Sequence, residues 1–180
     1  RKELISKCLR FSNEAITLSK SVNDPYSNAL SSWAGAMSTL YFTDKIESSV
    51  ACAKKMLEYA LVVRDNYLKG IAFYLLSHIS DWKVEVEADQ EKKKPQYEEI
   101  IDYARKSIHN LKLVCQDSTI SDSYLYLVQN YCCLAREFAL QPQEKLEFAK
   151  KAVRIGQEGL GHAFRSGSPD ALAVILHALS

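Results

Sequence analysis

The chain has 180 residues, of which 47% are hydrophobic and 25% charged, with 23 Lys or Arg against 22 Asp or Glu. This near-neutrality excludes a global field that would draw the chain to phosphate backbones or anionic lipid, so neither nucleic acid nor membrane is expected as a partner. Four prolines and six glycines are too few for a turn-rich β-protein and are compatible with long helices.

Helical periodicity dominates from the start. Leu4, Ile5, Cys8, Ala15, Ile16, Ser19 and Val22 recur at three- and four-residue steps. Asn23-Asp24-Pro25 breaks the pattern, with Asp24 as N-cap and Pro25 at the first helical position, where no amide bond is forfeited. The next helix carries Leu30, Trp33, Ala34 and Met37. A third restarts at Thr43-Asp44 with the stripe Ile46, Val50, Ala53, Met56, Leu57 and Ala60. A fourth runs from about Asn66. Residues 83–96 read as a frayed helix end and a charged loop, because Val84 and Val86 alternate with Glu85 and Glu87 before an acidic and lysine-rich run.

Helical pattern resumes near Tyr97, with Ile100, Ile101, Ala104, Ile108 and Leu111 on one side. Asp117-Ser118-Thr119 reads as a turn, followed by a helix from Asp122 to about Phe138. After Gln141-Pro142 a further helix carries Leu146, Ala149, Ala152, Val153 and Ile155, and Gly156, Gly159 and Gly161 are expected to loosen its end. Ser166-Gly167-Ser168-Pro169 resembles the break at Asp24-Pro25, with Ser168 as cap before an apolar helix from Asp170 to Ser180.

Motifs for chemistry are scarce. His78, His109, His162 and His177 stand far apart, none at the spacing of a zinc site, and no phosphate loop or nucleophile elbow is present. The expectation is therefore no metal, no cofactor and no enzyme. Cys8, Cys52, Cys115, Cys132 and Cys133 form no disulfide framework. They are expected as small core fillers in a reducing, cytoplasmic compartment. No signal-peptide pattern opens the chain, and no stretch approaches the roughly 18 apolar residues of a membrane span. The chain does not begin with Met and is expected to be a fragment or processed form.

Four helices superimpose on one apolar spacing: Leu30/Trp33/Ala34/Met37, Leu68/Ile71/Ala72/Leu75, Tyr124/Leu127/Val128/Tyr131 and Leu172/Ile175/Leu176/Leu179. The helices between them share a bulky-Ala-basic-basic run: Cys52-Ala53-Lys54-Lys55, Tyr103-Ala104-Arg105-Lys106 and Phe148-Ala149-Lys150-Lys151. The first set may be called A-helices and the second B-helices, and the opening helix reads as a B-helix.

This alternation resembles the tetratricopeptide-repeat superfamily of helix-turn-helix repeats, over nearly the whole chain. Leu127, Tyr131 and the run from Glu144 to Val153 carry the best local match. Val128 stands where that family has Gly, Lys145 where it has Ala, and the conserved aromatic is displaced to Phe148. The steps from Leu30 to Leu68, to Tyr124 and to Leu172 all exceed the family's usual period of about 34 residues. The resemblance implies an all-α fold: one domain over 1–180, with about eight helices stacked as antiparallel pairs into a short right-handed solenoid. The apolar run from Ala171 to Leu176 is unlike a polar cap, so the parent protein is expected to continue beyond Ser180, and self-association through the C-terminal helix is expected.

The resemblance further implies that A-helices line a concave groove for a partner protein or peptide. With the apolar stripes turned inward, the free positions are Asn28, Ser31, Gly35, Ser38 and Thr39 on the first A-helix. On the second they are Asn66, Lys69, Phe73, Leu76 and Ser77. The third offers Asp122, Leu125, Gln129, Cys132 and Cys133, and the fourth Ala173 and His177. A helical or extended peptide is expected around Lys69, Phe73, Leu76, Leu125 and Gln129. In the alternative, residues 83–96 fold back and cover Phe73 and Leu76. As a function, an interaction scaffold stands against a regulatory or sensor segment of a larger signalling ATPase or transcriptional regulator.

Overall fold

The computed structural model describes residues 2–43 and 45–179, and all their side chains except those of Lys2, Val174, Ala178 and Leu179. Among the described residues the chain is all-helical: α1 (Lys2–Val22), α2 (Pro25–Thr43), α3 (Ile46–Val62), α4 (Asn66–Val86), α5 (Gln90–Lys112), α6 (Asp117–Glu137), α7 (Pro142–Ser166) and α8 (Pro169–Leu179). Asp44 and Ser180, at expected helix boundaries, lie outside the described residues.

The turns explain where the helices stop. Every odd-to-even connection has one design: a residue in the left-handed region, then a cap, then the first helical residue. The left-handed residues are Asn23 (φ 55°), Arg64 (φ 56°), Cys115 (φ 55°) and Gly167 (φ 67°). Past two of them the chain reaches back, Asp65 N–H to the Ala60 carbonyl at 3.3 Å and Gln116 N–H to the Leu111 carbonyl at 3.4 Å, closing the last helical turn. Asp24 accepts from Ser27 N–H at 2.9 Å, Asp65 from Leu68 N–H at 2.9 Å and Ser168 from Ala171 N–H at 3.4 Å. Leu68 is fully buried, so Asp65 satisfies an amide that water cannot serve. Asp65→Ala is therefore expected to cost about 1 kcal/mol. Asp65→Asn should recover most of it, read as the denaturation midpoint.

Each helix packs on its chain neighbours. Contacts between next-but-one helices join α2 to α4, α4 to α6 and α6 to α8, and among the described residues no odd-numbered pair touches. One core cluster lies across α2, α3 and α4, with Leu40, Met56, Leu68, Leu75 and Ile79 almost fully buried. A second spans α4 to α7 around Ile100, Leu111, Ile120 and Val128, and half-buried Ile71 packs against both. A third, small one joins Ala163 of α7 to Ala171 and Ile175 of α8. Each fully buried aliphatic side chain contributes about 1.5–3 kcal/mol.

Several expectations are corrected. The charged loop expected within 83–96 shrinks to residues 87–89: α4 continues to Val86 and α5 begins at Gln90, with Asp89 accepting from Glu91 N–H at 3.0 Å. Pro95 stands inside α5, near its start, where it removes one backbone bond. Asp117-Ser118-Thr119 is the first turn of α6 rather than a loop. The glycines of α7 do not loosen it, since the helix runs unbroken to Ser166. Gly159 admits Tyr124: a Cβ there would stand 2.7 Å from that of Tyr124. Ala53 and Ala104 are fully buried as the B-helix pattern requires, but Ala149 is exposed and Ala152 takes the buried place. Three of the cysteines are not core fillers, for Cys8, Cys115 and Cys132 are exposed; half-buried Cys52 and Cys133 pack against the core clusters.

The largest correction concerns α2. Its buried face is small: Asn28, Ala29, Ser31, Ser32, Gly35, Ala36, Ser38 and Leu40. Ser31 bonds Ser19 at 2.8 Å, Ser38 bonds Ser12 at 2.9 Å, and a Cβ on Gly35 would meet Ile16 at 2.8 Å. Asn28, Ser31, Gly35 and Ser38 are thus buried rather than free, and the serines and Gly35 form the seam with α1. Leu30 and Trp33 are 44% and 41% exposed.

Candidate functional site

The face on which the even-numbered helices meet carries a cluster of polar and aromatic side chains. Tyr41 comes from the end of α2; Tyr74, His78, Asp81 and Trp82 follow one stripe of α4; Asp122, Tyr126 and Asn130 follow one stripe of α6. His78 sits at the centre. Its Nε2 is 2.8 Å from the Tyr41 hydroxyl and its Nδ1 bonds the Tyr126 hydroxyl. A neutral imidazole suits this place, one ring nitrogen donating to a phenol oxygen and the other accepting from a phenol. Burial pushes the His78 pKa down, which favours that form. Tyr74 stacks on His78 with centroids 6.1 Å apart, and Trp82 meets Tyr41 edge-on at 5.7 Å.

Acids surround this cluster. Burial, reinforced by Glu85 and opposed by a hydrogen bond from Asn130, pushes the Asp81 carboxyl up to about 6. Burial also raises Asp122, with Asp170 adding to the effect. Burial raises Tyr74 to about 12, and Asp122 adds to the shift. None of Asp81, Glu85 and Asp122 has an ion-pair partner among the described residues; the cations nearest in sequence are engaged elsewhere, Lys83 with Glu47 of α3 at 3.0 Å and Arg136 with Glu137 at 2.8 Å.

Beside the cluster, a cleft of about 750 Å³ opens between α4, α5, α6 and α8, lined by Asp81, Glu85, Lys93, Gln129, Asn130 and Arg136 among others. Asn130 is 1% exposed and gives its Nδ2 to the Tyr126 carbonyl at 2.8 Å. That acceptor fixes which way the amide points and leaves Oδ1 buried with no donor. An unpaired buried acceptor costs about 1–3 kcal/mol, so it marks a place where a donor is missing. Burial raises the thiols of Cys132 and Cys133, Arg136 opposing, which makes them poor nucleophiles.

The residues expected to bind a partner fall in different places. Gln129 lines the cleft. Lys69 and Leu125 are half-buried. Leu76 is not surface: it is 2% exposed within the α2–α4 core, correcting its expected exposure. Phe73 is half-buried and stacks on Tyr103 of α5 at 6.3 Å, with the Lys106 ammonium 5.8 Å from its ring centre. It is α5 that covers Phe73, so residues 83–96 are not the lid once weighed for it. The sequence names His78 only as one of four scattered histidines and does not point to Tyr41, Tyr74, Asp81, Trp82, Tyr126 or Asn130 as site residues. The i, i+4, i+8 recurrence of Tyr74, His78 and Trp82 was their signal in the sequence.

Among the described residues no three His, Cys, Asp or Glu side chains form a group that could hold a metal ion, and no helix is long and apolar enough to cross a membrane. Compared with known proteins, the chain matches no family model and no curated protein.

Proposed function

We propose that this chain is a protein-interaction scaffold of the tetratricopeptide-like kind, a single solenoid of helix pairs whose even-numbered helices present a concave face to a partner segment. The recurring left-handed turn before each even helix supports a repeat, as do next-but-one contacts confined to the even helices. In such a stack the even helices are the inner layer and the odd helices, with Lys54, Lys55, Arg105, Lys106, Lys150 and Lys151 all exposed, the outer one. The observation that carries the binding role is the cleft beside the His78 cluster, where a half-buried carboxylate has no counter-ion among the described residues and a buried amide oxygen has no donor. Binding rather than catalysis is inferred because the cleft offers no activated nucleophile. Five unpaired cysteines favour a cytoplasmic setting.

The reading is tested by placing a photo-crosslinking amino acid at Gln129 or Trp82 and, as control, at exposed Glu98 of α5, in the 180-residue chain exposed to native lysate. Adducts at the first two positions and none at Glu98 are expected. Equal labelling at all three would overturn the reading.

A further inference from the structure

The proposed scaffold face has a chemical preference written into its charges. The four even helices together hold three Lys or Arg against six Asp or Glu, whereas the four odd helices hold 17 against 11. Near-neutrality of the whole chain conceals this segregation. On the even face, Lys83 is drawn off to α3 and Arg136 to Glu137, Lys69 stands about 18 Å before Asp81 along α4, and Asp117 is committed to Arg165 of α7 at 3.0 Å and to His162 at 2.5 Å. What remains near the His78 cluster is Asp81, Glu85 and Asp122, carboxylates without an ion-pair partner among the described residues.

We infer that the partner segment is basic, and that one of its lysine or arginine side chains enters the α4–α6 cleft to pair with Asp81. The inference rests on the proposed scaffold function. Two observations point the same way. Asp81 is half-buried beside Glu85 with no counter-ion, which an incoming cation would supply. Asn130, in contact with Asp81, keeps Oδ1 without a donor, and an ammonium or guanidinium group brings three or five donors. The cleft's own cations do not fill this role. Lys93 and Arg136 line the same cleft without an ion pair to Asp81, Arg136 being engaged with Glu137 at 2.8 Å; His177 of α8 lines it as well.

The test uses the intact chain and three fluorescent peptides of one length: one rich in arginine, one with each arginine replaced by uncharged citrulline, and one rich in glutamate. Anisotropy should show the arginine peptide alone binding, with affinity falling as NaCl rises. Asp81→Asn should weaken it at least about ten-fold. Glu58→Gln on α3 should leave affinity unchanged. Thermal melts confirm that both variants fold. Citrulline and arginine peptides binding alike, undiminished affinity in Asp81→Asn, or no binding of the arginine peptide would each overturn the inference. Free arginine competing as strongly as the peptide would replace the peptide by a small-molecule occupant and overturn it too. Crosslinking at Gln129 without any charge preference would sink the basic partner while leaving the scaffold standing; absent crosslinking would sink the scaffold itself.

Discussion

Gly70→Ala is expected to destabilise the fold by about 1–3 kcal/mol, although it adds one methyl group and removes a poor helix former from the interior of α4. In an exposed helix the same change would stabilise by roughly 0.5–1 kcal/mol. Here the added carbon would stand 2.4 Å from Cγ and 2.6 Å from Cδ2 of Leu111, and 3.3 Å from the Leu111 backbone nitrogen. The side chain could rotate only into a packed core, since Leu111 is fully buried, and the backbone contact does not yield to a rotamer change. Ser107 adds a second constraint, donating to the Gly70 carbonyl at 2.9 Å and bonding Ser123 of α6 at 3.0 Å. Moving α4 away from α5 would break this bridge. Leu111→Ala alone should cost about 2–5 kcal/mol by opening a cavity. The double variant should cost clearly less than the sum, because each change makes room for the other. Urea titrations of the four proteins decide it. Additive losses would mean that Gly70 and Leu111 do not share one space.

That pair also shows what could be read from the amino acids and what could not. Breaks at Asp24-Pro25, Asp65, Pro142 and Ser168-Pro169 are chemically explicit, and the helices begin there. Residues 83–96 misled because charge and alternation were weighed above continuity; Val84 is buried and Val86 exposed, on different sides of one helix end. Helix faces were harder. The phase of α4 was correct for Leu68, Ala72 and Leu75, which pack on α2 and α3. On α2 apolar spacing points to the larger residues as the buried face, yet α1 and α3 approach so closely that serine, alanine and glycine fill the seams. Apolar spacing alone cannot tell a seam of small residues from a groove of small residues. The same ambiguity hid the site. Phe73 and Leu76 are large apolar residues off the main stripe, but α4 is flanked on both sides: Phe73 meets Tyr103 of α5, and Leu76 is buried in the core with α2 and α3. Only the stripe through Tyr74, His78, Asp81 and Trp82 looks out between the two.

Asp81→Asn is expected to stabilise the folded chain near neutral pH, and the size of the gain should depend on pH. The folded carboxyl ionises at about 6 instead of the ordinary 3.8, so between these values the folded state holds more proton than the unfolded one. Stability therefore falls as pH rises from about 4 to about 6, and the penalty persists above that window. A two-unit shift corresponds to at most about 3 kcal/mol, and residual solvent contact reduces this to about 2 kcal/mol. Asparagine keeps the shape and carries no charge, so the variant should melt higher than the parent at neutral pH and nearly together with it at about pH 4. Asp122, raised in the same direction, leaves a residual slope in the variant. Asp117 acts in the opposite sense and a different window: bonds from Arg165 and His162 hold it at about 2, so its contribution is lost only as pH falls below the ordinary carboxylate range. Denaturant titrations of both proteins across pH separate the two windows. A gain from Asp81→Asn that is the same at acidic and neutral pH would show that the carboxyl is not penalised by burial. A gain confined to neutral pH identifies a carboxylate that the fold keeps at its own expense, as expected of a residue held for a partner rather than for stability.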